Sequence, residues 1–318
     1  MATIQELLDI GKEKLESTGN EYAKYERKVL LEDVLRCNYM FMLMNPDEQV
    51  SLEQEAEYLR MIEERCKHYP LQYLLGYAHF MDYTFAVNEN VLIPRNDTEI
   101  LVETANEILG GVVQNRVSTD GASVESDRTV TDNVRVSLEG VVADISDCGG
   151  MQRTYKVLDL CCGSGCIGIS LKLYHKDIDL TLSDVSKDAL EVTKQNLERH
   201  EVQAKVICDS LFAGITEKMD MIVSNPPYIE SRVIDTLMPE VKDYEPMLAL
   251  DGGETGLDFY NQIIEEAPSH LNYGGWLLFE IGHNQGEAVH KKMTELGFKD
   301  VQVKKDYAGL DRVVYGHL

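Results

Sequence analysis

Positive charge is what this chain has least of. Thirty Lys and Arg residues stand against 55 Asp and Glu, a net charge of −25 over 318 residues, which repels a phosphate backbone unless the basic residues gather into a patch. They do not gather: Lys291, Lys292, Lys299, Lys304 and Lys305 are interleaved with acidic and apolar residues, the pattern of a solvated face. Direct nucleic-acid binding is therefore not expected, and a basic protein partner fits better. Paired cysteines are lacking too. The seven cysteines, at 37, 66, 148, 161, 162, 166 and 208, are odd in number and show no C-x-x-C spacing, which excludes a disulfide scaffold. Cys161, Cys162 and Cys166 cluster, but no second pair of ligands stands near them in sequence, so no metal is expected. No apolar run approaches the length of a membrane span. The opening Met1-Ala2-Thr3-Ile4-Gln5-Glu6 lacks the basic and apolar regions of a signal peptide. A cytoplasmic location without membrane contact is expected, and a monomer.

The chain is long enough for one large α/β domain and a smaller one. Residues 1–75 read as a small helical bundle. Thr3 with Glu6 forms a capping box before Ile4, Leu7, Leu8, Gly11 and Leu15 at helical spacing. A second stripe runs through Tyr22, Tyr25, Val29, Leu30 and Val34, and a third helix starts at Ser51 with Leu52, Ala56, Leu59 and Ile62. The tyrosines and methionines here, Met40, Met42 and Met44 included, read as core filling. From 76 to 93 the pattern becomes Phe80, Tyr83, Phe85, Val87 and Val91 with turn chemistry at Asn88-Glu89-Asn90, a hairpin linking two domains. Pro94-Arg95-Asn96-Asp97-Thr98-Glu99 opens another helix, capped by Asp97 or Thr98. Residues 110–153 lack periodicity and read as a surface insertion, in which Arg116-Val117-Ser118-Thr119-Asp120-Gly121 is echoed by Arg135-Val136-Ser137-Leu138-Glu139-Gly140.

An alternating series follows. Strands are expected at Lys156 to Leu160, Asp179 to Ser183, Ala204 to Cys208, Met219 to Ser224, Trp276 to Ile281, Val301 to Lys304 and Arg312 to Tyr315. Helices at Cys166 to Tyr174, Lys187 to His200, Leu257 to His270 and Gln285 to Leu296 fall between several of them, which defines a doubly wound α/β sheet.

Prolines are few, but two of the eight are adjacent. Asn225-Pro226-Pro227-Tyr228 follows the apolar run Met221 to Ser224, where a buried parallel strand hands its chain to a loop. The prolines stiffen the backbone, so an amide or amine nitrogen lying flat against Tyr228 is offered the Asn225 side-chain oxygen and the Pro226 carbonyl, with Pro227 completing the turn. A rigid turn without chemistry is the plain alternative. Upstream, Asp159-Leu160-Cys161-Cys162-Gly163-Ser164-Gly165 links the first strand to a helix whose free N–H groups suit a carboxylate or phosphate. Gly163, Gly165 and Gly168 satisfy the weak dinucleotide pattern, but the residues between strand end and glycines fit it poorly. Asp159 instead suits the amino group of a bound amino acid, Asp184 the ribose hydroxyls, and Asp209 with Ser210 or Leu211 an adenine. Each aspartate alone reads equally as a helix cap. Together they describe S-adenosylmethionine, brought to the same sheet edge as Asn225.

The chain resembles the protein-(glutamine-N5) methyltransferases that modify class I peptide chain release factors. The likeness is carried by Pro70-Leu71-Gln72-Tyr73 with Gly76 and Phe80, by Pro94-Arg95 to Thr98-Glu99, by Asp159 through Gly165 and by Asn225 to Ile229. It continues through Glu245-Pro246 with Ala249-Leu250 and Gly252-Gly253, Glu280-Ile281-Gly282, and Asp306 to Arg312. Only 110–153 falls outside it. The resemblance implies a Rossmann-like, seven-stranded class I S-adenosylmethionine-dependent methyltransferase domain over 94–318, preceded by a release-factor-docking bundle over 1–75. It implies the glutamine of a Gly-Gly-Gln motif as acceptor. Asn225, Pro226 and Tyr228 then act on that amide, while Arg95, Glu245 and Glu280 read either as pocket-shaping residues or as ion-pair partners. Cys161 stands where many relatives have glycine. Rival readings are a ribosomal-protein glutamine methyltransferase, a DNA adenine methyltransferase disfavoured by the acidic charge, and an NAD-binding module that leaves Asn225 to Tyr228 unexplained.

Overall fold

The computed structural model describes residues 1–119 and 154–318. Its frame is a two-stranded hairpin, β1 (Tyr77–Phe80) and β2 (Tyr83–Ala86), and a sheet of β3 (Lys156–Leu160), β4 (Asp179–Asp184), β5 (Lys205–Cys208), β6 (Met219–Ser224), β7 (Leu271–Glu280), β8 (Lys299–Lys305) and β9 (Asp311–His317). The seven strands lie in the order β5-β4-β3-β6-β7-β9-β8. The pairs from β5 to β7 are parallel, and β9 runs against both neighbours.

Both faces of this sheet are buried, which is why its central strands are almost continuously apolar. Alternation divides them: Val157, Met221, Val223, Leu278 and Val313 join one core, Leu158, Leu160, Ile222, Phe279 and Val314 the other. The first core is closed by residues of the helices Glu99–Thr119, Cys166–Tyr174 and Lys187–Arg199, the second by those of Asp258–His270 and Gly286–Glu295.

The strand order reverses between β3 and β6, so their carboxyl ends diverge into a crevice. Ser183, Leu160, Ser224 and Phe279 pair across one row of the sheet. The next residues along the four strands, Asp184, Cys161, Asn225 and Glu280, therefore emerge together at its carboxyl edge.

Five helices at Ile4–Ser17, Ala23–Leu35, Tyr39–Met44, Leu52–Cys66 and Leu71–Leu75 precede the hairpin. The Thr3–Glu6 capping box is present. The second helix rotates differently from its expected stripe: Ala23, Glu26, Leu30 and Leu31 face the bundle core, while Tyr22 and Tyr25 are exposed. Glu26 displaces the tyrosines because its carboxylate is needed inside by Arg65. Leu52 is exposed likewise, the third stripe being Tyr58, Met61, Ile62 and Arg65. Of the methionines named as filler, Met42 is buried, whereas Met40 and Met44 stand at the surface with Tyr39, Phe41 and Leu43.

The hairpin turns at Met81-Asp82, not at Asn88-Glu89-Asn90, which makes a separate turn in which Asn88 accepts from the N–H of Asn90 and Val91. Met81 adopts φ +51° there, a conformation its sequence does not advertise. A short 3-10 turn, Asn96–Thr98, leads into Glu99–Thr119, so helix continues beyond residue 110, where an insertion was expected to start. Residues 120–153, with the second copy of the short repeat, lie outside the described residues.

Candidate active site

The crevice forms an open cleft. On its wall stand Cys161, Cys162, Gly163 and Ser164 after β3, Asp184 at the end of β4, Asp209, Ser210 and Leu211 after β5, and Asn225 and Pro227 after β6. Four expected site residues are not on the wall. Asp159 is fully buried, because alternation along β3 turns it with Val157 toward the covering helix, where its Oδ2 accepts from Gly168 N at 2.8 Å. Gly165 caps that helix at φ +79° and packs against Ile169 and Thr193. Pro226 is buried, and Tyr228 is half-buried among the second core.

The loop after β3 is shaped for a ligand. Gly163 has φ +53° and open space where a Cβ would point, so a bound group can approach its backbone. Its N–H donates to Asp184 Oδ2 at 2.9 Å, while Asp184 Oδ1 accepts from Ser186 N at 2.9 Å. Each carboxylate oxygen keeps a further lone pair for a ribose hydroxyl. Asp209 and Ser210 are exposed at the outer end, where Asp209 Oδ1 accepts from Ser210 N at 2.8 Å.

Beneath the loop, Asp159 Oδ1 is buried without a hydrogen-bond partner. Burial raises its pKa to about 7, the Gly168 N–H opposing and the negative Asp184 adding to the rise. An unsatisfied carboxyl under a ligand loop favours a positive group above it, so an ammonium at the cleft floor fits through its charge rather than by touching Asp159. Cys161 has φ +62°, the region glycine enters freely. Burial pushes the Cys161, Cys162 and Cys166 thiols up, and they remain protonated at neutral pH.

At the acceptor end, Asn225 Nδ2 donates to Thr98 Oγ1 at 3.5 Å, leaving Oδ1 for another donor. The Tyr228 hydroxyl donates to Glu280 Oε1 at 3.2 Å, and burial beside that carboxyl raises its pKa. Arg95 lines the cleft and pairs with the buried Glu245 at 2.6 Å. Thr98, Leu248 and Phe259 line the wall as well. Thr98 was expected as a helix cap and as part of the run that carries the family likeness, and nothing in the sequence marked Leu248 or Phe259. The Pro94 to Glu99 run was the available signal.

Fold, switch-point cleft and ligand loop together define a class I S-adenosylmethionine-dependent methyltransferase. The family model Methyltransferase small domain matches residues 147–240, and PrmC N-terminal domain matches residues 6–76. Release factor glutamine methyltransferase of Clostridium botulinum is 37% identical over 91% of this chain and 90% of its own length. That of Geobacter sulfurreducens is 34% identical over 99% of this chain and 97% of its own. The chain belongs to the release factor glutamine methyltransferase family. The hMettl16 catalytic domain, solved in complex with MAT2A 3'UTR hairpin 6, shares the fold at 12% identity and TM-score 0.51, covering 84% of this chain and 86% of that one.

Proposed function

We propose that the chain transfers a methyl group from S-adenosylmethionine to the side-chain amide nitrogen of the glutamine in the Gly-Gly-Gln motif of class I release factors, and so promotes translation termination. The observation that carries this reading is the Asn225 amide, held by Thr98 on the wall of the cleft that also contains the β3 loop. When bound, S-adenosylmethionine supplies an electrophilic methyl group. Residues Cys161 to Ser164 would hold its amino-acid portion, Asp184 its ribose and Asp209 with Ser210 its adenine.

A glutamine amide is essentially non-basic, so geometry matters more here than a general base. Asn225 Oδ1 and the Pro226 carbonyl would accept the two amide hydrogens and turn the nitrogen lone pair toward the methyl group. Tyr228, fixed through its hydroxyl to Glu280, would anchor the end of the turn behind the cleft wall. The helical bundle is the docking surface in this reading, and its exposed Tyr39, Met40, Phe41, Leu43 and Met44 supply apolar area for a protein. Among the described residues no helix is long and apolar enough to cross a membrane, and the proposed substrate places the enzyme in the cytoplasm.

Purified protein incubated with labelled donor and separate pools of release factors, ribosomal proteins and DNA, followed by mass spectrometric mapping, tests the proposal. Label on the Gly-Gly-Gln glutamine is expected; label confined to a ribosomal protein or to DNA would replace the substrate. Asn225→Ala is expected to raise the barrier by about 3 kcal/mol, as loss of one preorganised polar contact does.

A further inference from the structure

Among the described residues three charged side chains line the cleft, Asp184, Asp209 and Arg95, and only the last is basic. In a chain of net charge −25, a cation at this place calls for a reason. Its backbone is fixed by the turn it precedes, since Arg95 O accepts from Thr98 N at 3.0 Å. Thr98 in turn takes the Asn225 amide, so Arg95 lies one short turn from the group that faces the acceptor. Its side chain is held as well: Nη2 donates to Glu245 Oε2 at 2.6 Å, and the Glu245 side chain is 1% exposed against 40% for that of Arg95. Glu245 is itself tied down, its Oε1 accepting from Ile93 N at 3.4 Å.

A guanidinium carries its N–H donors in a rigid fork. One goes to Glu245, and among the described residues the Arg95 side chain makes no other hydrogen bond. The remaining N–H groups of this part-exposed, cleft-lining side chain are free for a ligand. Pairing with a buried carboxylate leaves the arginine little net charge to attract an anion. A fork aimed by one arm is nevertheless pre-organised to give hydrogen bonds with the other. The fitting partner is a neutral oxygen, such as a main-chain carbonyl. The proposed substrate presents such oxygens and little else there, because the two glycines before the acceptor glutamine have no side chains and are recognised only through peptide groups.

We propose that Arg95, aimed by Glu245, is a specificity-determining residue that donates a hydrogen bond to a main-chain carbonyl of the peptide flanking the acceptor glutamine. The inference rests on the Gly-Gly-Gln substrate of the proposed function. It assigns Arg95 to the acceptor and not to the carboxylate of the methyl donor. The two roles open to Arg95 in the sequence, pocket-shaping residue and ion-pair partner, then belong to one side chain, in which part of the fork pairs and the rest binds.

Two variants test this. Arg95→Lys keeps the charge and the pairing with Glu245, but a single nitrogen replaces the fork. Arg95→Met combined with Glu245→Gln removes both charges, so no buried carboxylate is stranded. Both are compared with wild type in release-factor methylation, in donor affinity by calorimetry and in thermal melting. Each is expected to melt close to wild type and to raise the KM for the release factor about 10-fold or more, the scale of one hydrogen bond to a charged group. With the contact made equally in ground and transition states, kcat is expected to hold within about threefold and donor affinity within about twofold. Folded Arg95→Lys with a wild-type KM would overturn the inference. Donor affinity falling as far as acceptor affinity would overturn it too, by placing Arg95 on the donor's carboxylate. If wild type leaves release factors unlabelled, the substrate reading fails and this inference with it; if wild type labels them and Arg95→Lys does so at the wild-type KM, the inference fails alone.

Discussion

Asp159 shows how burial sets the charge of a single residue beneath the cleft. Its carboxyl is wholly buried, one oxygen takes a backbone N–H, and the other takes nothing. Burial therefore raises its pKa from 3.8 to about 7. Between these values the folded chain binds more protons than the unfolded one, so this residue's contribution to stability is full at low pH and lost as pH rises through about 7. Asp159→Asn stays neutral throughout. Without donor, its melting temperature relative to wild type is expected to climb between about pH 5 and pH 8, and with donor the variant is expected to bind more weakly. A stability difference that stays flat across that window would show that the carboxyl is already ionised in the free enzyme. The residue type and its place at a strand end were legible in the sequence. Its burial under the loop was not, because which face of β3 the helix covers is decided by packing.

At the scale of elements, the loop after β6 owes its shape to a second chain segment laid against it. Ile229 N donates to Leu250 O at 3.0 Å and Gly252 N to Ile229 O at 2.8 Å, a short bridge between distant stretches. Gly252 is required there: a Cβ would come within 2.6 Å of Tyr228 Cα and 2.8 Å of Pro227 O. Since those are backbone atoms, the clash cannot be relieved by a side-chain rotation. Gly252→Ala is expected to cost about 1–3 kcal/mol in denaturant unfolding and to lower turnover. Wild-type stability and turnover together would mean that the bridge is not kept in solution. Strand positions were largely legible from apolar runs, yet β7 begins at Leu271 rather than at Trp276. The exposed Tyr273 and the Gly274-Gly275 pair hid its first half, which pairs with β6 across a register shift.

For the molecule as a whole, the bundle is tied to the catalytic sheet by charge as well as by packing. Arg65 is 6% exposed in its side chain and holds Glu26 within the bundle at 2.7 Å and Glu240 beyond β6 at 2.6 Å. Tyr244 adds a hydrogen bond to Lys67 O at 2.7 Å and an edge contact with Tyr69. The segment between β6 and β7 thus carries both the Tyr228 loop and the bundle's anchor. Glu240→Gln weakens one charge-assisted contact while Glu26 still neutralises Arg65, so a loss of about 2 kcal/mol is expected in unfolding. Release-factor methylation is expected to fall more than donor binding. Equal loss of both would mean that the anchor serves folding alone.

The sequence by itself determined the alternating strands and helices, the glycine loop, the aspartates at successive strand ends and the rigid Asn225-Pro226-Pro227-Tyr228 turn. Each of these is a local property, set by side-chain period, backbone freedom or charge within a few residues. Tertiary structure alone decided that Tyr22 and Tyr25 face solvent while Glu26 goes inside, that Asp159 lies under the loop, and that Thr98 and Glu280 stand behind the turn. Those outcomes depend on which elements meet across the sheet, and pairing between distant strands is fixed by the packed core rather than by any one segment's pattern.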